Sequence, residues 1–231
     1  MTGAPASPPY RLRTARIELR AFDPSFARAL NEVVNRNREH LVPWMPWALA
    51  LPVPLDDSVQ RGRACRAEFD RGTDFHFGVF DDAGEFVGAL GIHPRVGAGG
   101  LEIGYWIDQD RTRRGYAREA AAAATRAGLE LLGAQRMHIH VQPDNQVSER
   151  IPVALGYTRE GIARARLEWP DGTWRDQVVY TLLAHELTNS AASALELEAF
   201  DARDARLPLS APMPLDTDIA TGLAPGIATD A

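Results

Sequence analysis

The sequence predicts an α+β (mixed α/β) domain built on one sheet. Three observations predict it. Hydrophobic periods of two and of 3.6 residues follow one another along the chain. Glycine, proline or Asp-Gly breaks separate them. Strand and helix signals are interleaved, with no internal repeat. In order, "RIELRAF" (16–22) alternates like a strand. Asp23-Pro24-Ser25 opens a helical stretch to about Arg38, and "HLVPWMPWALALPVP" (40–54) is a loop rich in proline and tryptophan. "DDSVQRGRACRAEFDRG" (56–72) suits an amphipathic helix that stops at Gly72. Strands follow at 74–81, 85–94 and 101–108, then a helix from Gly115 to about Leu132, a strand at 136–142 and a short helix after Asn145. "YTREGIARARLEWP" and "TWRDQVVYTLL", joined at Asp171-Gly172, read as a hairpin.

Composition narrows the classes. With 231 residues, 45% hydrophobic and 24% charged, the chain suits one globular domain with extensions. Residues 1–9 read as an N-terminal extension, 10–187 as the domain, and 188–231 as an acidic Ala/Pro-rich tail. Seven acids and two arginines give that tail most of the formal charge of −6. Its "SALELEAFDARDARL" (193–207) could form one helix; the remainder reads as too poor in large apolar residues to order. No apolar run reaches the roughly 20 residues that span a bilayer, and the N-terminus lacks an apolar signal core. A single cysteine, Cys65, excludes an internal disulfide framework and points to a reducing, cytoplasmic setting. All 25 basic residues are arginine, so neither a Schiff-base lysine nor a phosphate-loop lysine is available. The near-neutral body lacks the broad basic stripe of a nucleic-acid binder.

The chemistry concentrates in "RTRRGYAREAAAAATRAGLELLG" (111–133). A strand, a glycine turn and a helix present free amides at the positive end of the helix, a ready anion site. Gly115 lets a phosphate approach the backbone, and Arg113, Arg114 and Arg118 add charge-assisted contacts. The bland alternative is a solvated basic face. No GK[ST] ending and no G-x-G-x-x-G are present.

"LEIGYWIDQDRTRRGYAREA" followed by "HIHVQPDNQVSERIPVALGYTREG" resembles the acetyl-CoA-binding core of the GNAT N-acetyltransferases, and within them the RimJ/RimL-like group. The resemblance covers about residues 10–187. It implies a mostly antiparallel mixed sheet, flanked by helices and splayed where acetyl-CoA binds. The family signature [Q/R]-x-x-G-x-[G/A] falls on Thr112 to Ala117, with Thr112 in place of the usual Gln or Arg. It implies that the amides around Gly115, Tyr116 and Ala117, together with the arginines, hold the pyrophosphate. It further implies that backbone groups near Trp106, Ile107 and Asp108 pair with the pantetheine arm after a bulge in that strand. Asn145 of "NQVSER" would bond the same arm, and the Ser148 hydroxyl would lie near its sulfur; Asn145 also reads as a helix cap. Pro152 departs from the family, and a kinked or shortened helix is expected there.

"RLEWPDGTWRD" resembles a RimL-type segment with a catalytic glutamate four residues before the turn glycine, which implies Glu168. The distance from Ser148 is one residue longer than usual. Glu102 is the rival base. Trp44 and Trp47 border the region where the family binds its acceptor, or else plug the core. His138 and His140 share a strand face, the geometry of a metal pair, but no third ligand is evident and no metal is expected. Cys65 lacks a neighbouring base in sequence and reads as structural. The resemblance thus implies acetyl transfer from acetyl-CoA to a primary amine, a protein N-terminus or a small molecule, in a ternary complex. The alternative is an acyl-CoA-binding module without catalysis, and a homodimer is an open option.

Overall fold

The computed structural model describes residues 8–209; the sequence readings for 1–7 and 210–231 lie outside them. The first strands, β1 (Arg11–Arg13) and β2 (Ile17–Ala21), form a hairpin, and only the second is legible as an alternating run. A single 3₁₀ turn at Pro24–Phe26, capped by the Asp23 side chain, leads into α1 (Ala27–Arg36) and the one-turn α2 (Arg38–Leu41). The long helix α3 (Leu55–Arg71) ends at Gly72 in the left-handed region, as the sequence expects. Then come β3 (Phe75–Asp81), β4 (Phe86–His93), β5 (Gly100–Ile107), α4 (Tyr116–Arg126), β6 (Arg136–Val141) and α5 (Gln146–Leu155). The hairpin β7 (Thr158–Glu168) and β8 (Trp174–Leu183) follows, and β9 (Glu198–Phe200) and β10 (Arg206–Leu207) end the described chain.

The ten strands of the described residues join one sheet in the order β10-β9-β1-β2-β3-β4-β5-β6-β8-β7. Every pairing is antiparallel except β5 with β6. Helices α1 and α3 cover one face, packing on β4 and β3, while α4 and α5 cover the other over β5 and β6. The alanine run of α4 explains its fit. Ala120 to Ala124 are all buried, and side chains this small let the helix lie close over the strands. Alternation along β5 divides its side chains between the layers. Tyr105 packs with the α4 side, and Trp106 with the α1/α3 side.

The tail departs from its sequence reading. No helix forms over 193–207. Turns lead instead into β9, which pairs with β1 and extends the sheet. The reason lies in "LELEAF": Leu197 and Ala199 are buried while Glu198 and Phe200 are only partly so, a period of two. Glu198 pairs with Arg13, and the Arg11 guanidinium lies 3.8 Å over the Phe200 ring.

Candidate active site

Strands β5 and β6 are paired only from Gly100↔Arg136 to Glu102↔His138. Beyond that point they part, whereas β5 keeps its register with β4 to Gly88↔Ile107. The splay is therefore present. The bulge lies not in the β4–β5 pairing but in β4, opposite Val79 and Phe80 of β3. The amide of Asp108 donates to Val87 at 2.8 Å. In an antiparallel ladder, residues alternate in which neighbour their backbone groups face. Trp106 and Asp108 thus turn theirs to β4, and Tyr105 and Ile107 turn theirs into the gap. The backbone groups facing the gap are accordingly those of Tyr105 and Ile107, not all three of 106–108.

The Asp108 side chain is also engaged. It is fully buried, accepts from Asn37 Nδ2 at 2.8 Å and pairs with Arg36, while Asn37 Oδ1 accepts from the Gln109 amide at 2.8 Å. Burial alone would raise its pKa, but Arg36, then Asn37 and the Asp110 amide, hold the carboxyl below its ordinary value. Asp108→Ala leaves Arg36 without its acceptor and Asn37 Nδ2 with only the Val33 carbonyl. A stability loss of about 2–4 kcal/mol in chemical denaturation is the expected result.

At the mouth of the gap, Gly115 caps α4 with φ +84, and Arg113 has φ +62. These left-handed positions turn the chain sharply. Among the described residues, no amide from 113 to 118 has a protein acceptor; the next, Glu119, donates to Gly115 at 3.0 Å. The loop is fixed from behind. Glu119, 8% exposed, accepts from Thr14 at 2.6 Å and from Arg16 Nε at 2.8 Å, and Arg16 Nη1 donates to the Arg114 carbonyl at 2.9 Å. Arg113, Arg114 and Arg118 are exposed and in no ion pair among the described residues. Arg111 differs, because it pairs with the buried Asp81 at 3.1 Å. The cluster thus offers three free guanidinium groups. Thr112 donates to the Gln109 carbonyl at 2.9 Å, a local role only.

Asn145 caps α5, its side chain accepting the Ser148 amide at 3.1 Å. The helix runs to Leu155 through Pro152, so the expected early end does not occur. Pro152 has no N–H for the Ser148 carbonyl, and the Tyr105 hydroxyl donates to it instead at 3.3 Å. The same hydroxyl lies 3.1 Å from Ser148 Oγ. Burial pushes Tyr105 up to about 12, so it stays protonated at neutral pH. Tyr105 is a site residue that sequence reasoning missed; it stands 43 positions from its partner.

A cavity of 850 Å³ opens from the gap toward α1 and α3. Trp44, Trp47, Trp106, Glu102, His140 and Ser148 are among its lining residues. Trp47 packs against Trp106 at 6.4 Å between centroids. The loop that carries Trp44 is held across the gap by Gln142, which donates to its carbonyl at 2.9 Å, and by Arg175, which donates to the Pro43 carbonyl at 2.8 Å. Cys65 lies buried in this wall, and burial pushes its thiol up to about 11, so it is a poor nucleophile.

The two carboxylates separate clearly. Glu168 is exposed at the end of β7, and its neighbour Leu167 lines the cavity. Successive strand residues face opposite ways, so Glu168 turns outward. The β7–β8 register shifts between Arg159 and Gly161 and again between Ala163 and Leu167. Glu102, by contrast, is 8% exposed, lines the cavity, and receives Arg95 Nη2 at 2.6 Å and Nε at 3.0 Å. Burial would raise its pKa, but Arg95 wins and lowers it. His140 Nδ1 lies 3.5 Å from Glu102 Oε2. His138 does not line the cavity; it accepts from Arg136 at 3.0 Å and meets Thr181 at 3.2 Å. Groups of three metal-type ligands among the described residues include neither His138 nor His140; they are Asp74, His76 and His93 and Cys65, Glu68 and His76, all in the cavity wall. Asp74 is already engaged by both rings, at 2.6 Å and 3.3 Å.

Known proteins match this geometry. Residues 16–158 match the family described as the acetyltransferase (GNAT) domain. The chain is 30% identical over 191 residues to the [Ribosomal protein uS5]-alanine N-acetyltransferase of Escherichia coli, covering 78% of this chain and 94% of that one. Among solved structures it superposes on Mycobacterium smegmatis RimJ in complex with CoA-disulfide, with a TM-score of 0.68, 30% identity, and coverage of 79% and 90%. The ribosomal-protein-S5-alanine acetyltransferase of Vibrio fischeri shares the fold at a TM-score of 0.67 and 22% identity, with coverage of 75% and 96%. No described helix is long and apolar enough to cross a membrane. With its splayed β5–β6 pair and open α4 terminus, the chain belongs to the GNAT acetyltransferase family, is RimJ/RimL-like within it, and is an acyltransferase.

Proposed function

We propose that the protein transfers acetyl from acetyl-CoA to a primary amine by direct attack in a ternary complex. The observation that carries this reading is continuity. The gap-facing backbone of Tyr105 and Ile107 and the unaccepted amides of 113–118 follow one another along the chain from β5 into α4, and the Tyr105–Ser148 pair stands in the cavity wall. The diphosphate suits the α4 terminus with Arg113, Arg114 and Arg118. The pantetheine amides suit the open edge of β5, with Asn145 beside them.

The acetyl carbonyl then falls in the gap, where the Tyr105 amide is an available oxyanion donor. The amine nitrogen attacks the carbonyl carbon, the C–S bond breaks, and the thiolate takes a proton from Ser148 or, through it, from Tyr105. On the acceptor side, Trp44, Trp47 and Trp106 offer faces for an alkyl chain or a cation. The uS5-alanine acetyltransferase relative favours a peptide N-terminus over a free small amine as acceptor. A cytoplasmic setting accords with the single buried thiol.

A thiol-release assay with acetyl-CoA tests the reading against N-terminal peptides, polyamines and aminoglycosides. Peptide-dependent release is expected. Acetyl-CoA binding without release on any amine favours a non-catalytic acyl-CoA module. Ser148→Ala and Tyr105→Phe are each expected to lower turnover by about 10-fold or more with cofactor binding retained. Glu168→Gln, facing outward, is expected to leave turnover within about 3-fold; a loss above 10² would return the base to that position.

A further inference from the structure

We propose that His140 takes the proton from the acceptor amine, with Glu102, itself paired with Arg95, orienting its ring. The proposal rests on the acyl-transfer reading and supplies the base that Glu168, facing outward, does not. Three placements carry it. His140 lies on β6 just past Glu102↔His138, the last pairing before the strands part. Its side chain is nearly buried and lines the cavity. By strand alternation, Glu102, Gly104 and Trp106 share the acceptor face of β5, while Tyr105 with Ser148 lies on the other. An acyl group held in the gap would therefore have His140 on the side from which an amine enters and Ser148 on the side where sulfur leaves.

The charge arrangement fits the task. Ring Nδ1 faces Glu102 Oε2 at 3.5 Å. A proton on Nδ1 leaves the Nε2 lone pair for the substrate, and the same carboxylate stabilises the imidazolium once it forms. The groups facing the ring are Glu102 from β5, Arg95 after β4, Arg166 from β7, Gln177 from β8, and His138 on its own strand at 5.8 Å between centroids. Burial lowers the His140 pKa below the ordinary 6.5; Glu102 and a hydrogen bond with Gln177 oppose that shift, while Arg166 and Arg95 add to it. The ring is then neutral at pH 7, the form a base requires. His138 cannot substitute. It lies off the cavity, and burial with its neighbours brings it down to about 4.

In the step, one ammonium N–H bond breaks and its proton goes to Nε2. The freed lone pair forms the C–N bond, the C–S bond breaks as the carbonyl re-forms, and Ser148 gives its proton to the departing sulfur. The nitrogen's second proton is shed to the site and restores Ser148, and the imidazolium returns the first to water.

The test is the pH profile of kcat/KM with a verified amine. Wild type is expected to lose activity as pH falls through the His140 pKa, below about 6.5. His140→Gln is expected to lower turnover about 10²–10⁴-fold at pH 7, to abolish that acid limb, and to recover partly at high pH, where more amine is neutral. Glu102→Gln is expected to move the limb to lower pH with a smaller loss. The stabilisation by acetyl-CoA is expected to survive both changes. His140→Ala is expected to regain turnover with added imidazole, which a purely structural role does not explain. Wild-type kcat/KM in His140→Gln, an unchanged acid limb, or no imidazole rescue overturns the proposal. Absence of thiol release from wild type on every amine instead sinks the acyl-transfer reading beneath it.

Discussion

Gly115→Glu is expected to abolish thermal stabilisation by acetyl-CoA while the protein remains folded. A ligand at 100 times its Kd adds about 2.7 kcal/mol, or roughly 5–11 °C for a protein of this size. The amides of 113–118 converge at the N-terminus of α4, where the helix is positive and three guanidinium groups stand free. A carboxylate placed there competes for the same donors and repels the diphosphate. Backbone strain must be separated from charge, because Gly115 has φ +84 and a Cβ would lie 3.2 Å from Arg16 Nη2. Gly115→Ala supplies the control. It is expected to lower Tm by a few degrees, in line with about 1 kcal/mol of left-handed strain, yet to keep most of the ligand shift. An unchanged ligand shift in a folded Gly115→Glu protein contradicts the anion site.

Removal of residues 190–231 is expected to lower Tm by about 6–12 °C. Ala192 and Ala199 are fully buried and Leu197 is 6% exposed. Arg126 Nη1 donates to the Leu195 carbonyl at 2.6 Å, tying the segment to the end of α4. Strand β9 also covers the edge of β1. Losing the Leu197 side chain and the smaller apolar contacts amounts to about 3 kcal/mol, and about 2–4 °C accompany each kcal/mol at this length. Composition alone points to a dispensable tail and an unchanged Tm. A melt within 2 °C of the full chain would support that expectation and contradict the packing of β9.

The two outcomes show what was legible in the residues. Strands β2 to β8 and helices α1, α3, α4 and α5 follow from period and punctuation; most carry enough apolar side chains to declare a buried face, while β7, which has no buried residue, is legible only through the Asp171-Gly172 turn that joins it to β8. Gly115 and Asn145 were legible too, because a left-handed turn before a helix and a helix cap are local features. The segment 195–200 was not. Its alternation spans only "LELEAF", inside a stretch of alanine and acid, and its partner β1 lies more than 180 residues away. The Tyr105–Ser148 contact was hidden in the same way. It depends on the β5 face, on the α5 cap and on the missing N–H of Pro152, three facts that no single segment contains.

The base shows a different limit. Counting back from the Gly172 turn selects Glu168, but the register shifts in β7 decide which way that side chain faces. Glu102 was visible as a rival; its partner His140, noticed only as half of a metal pair, becomes its neighbour through the β5–β6 pairing. The charge environment is likewise a product of the fold. The depressed pKa of Glu102 and of Asp108 comes from Arg95 and Arg36, which contact them only in three dimensions. For carboxylates held below their unfolded pKa, this stabilisation is complete above that pKa and is lost as pH falls toward the folded one.

A crystal structure of the protein with acetyl-CoA tests the central claim most directly. The diphosphate is expected on the amides of 113–118, the pantetheine amides paired with Tyr105 and Ile107 between β5 and β6, and the sulfur beside Ser148. The acetyl group is expected to face His140 across the gap. A cofactor bound outside the gap, or one whose arm leaves the Tyr105 and Ile107 backbone unpaired, would contradict it.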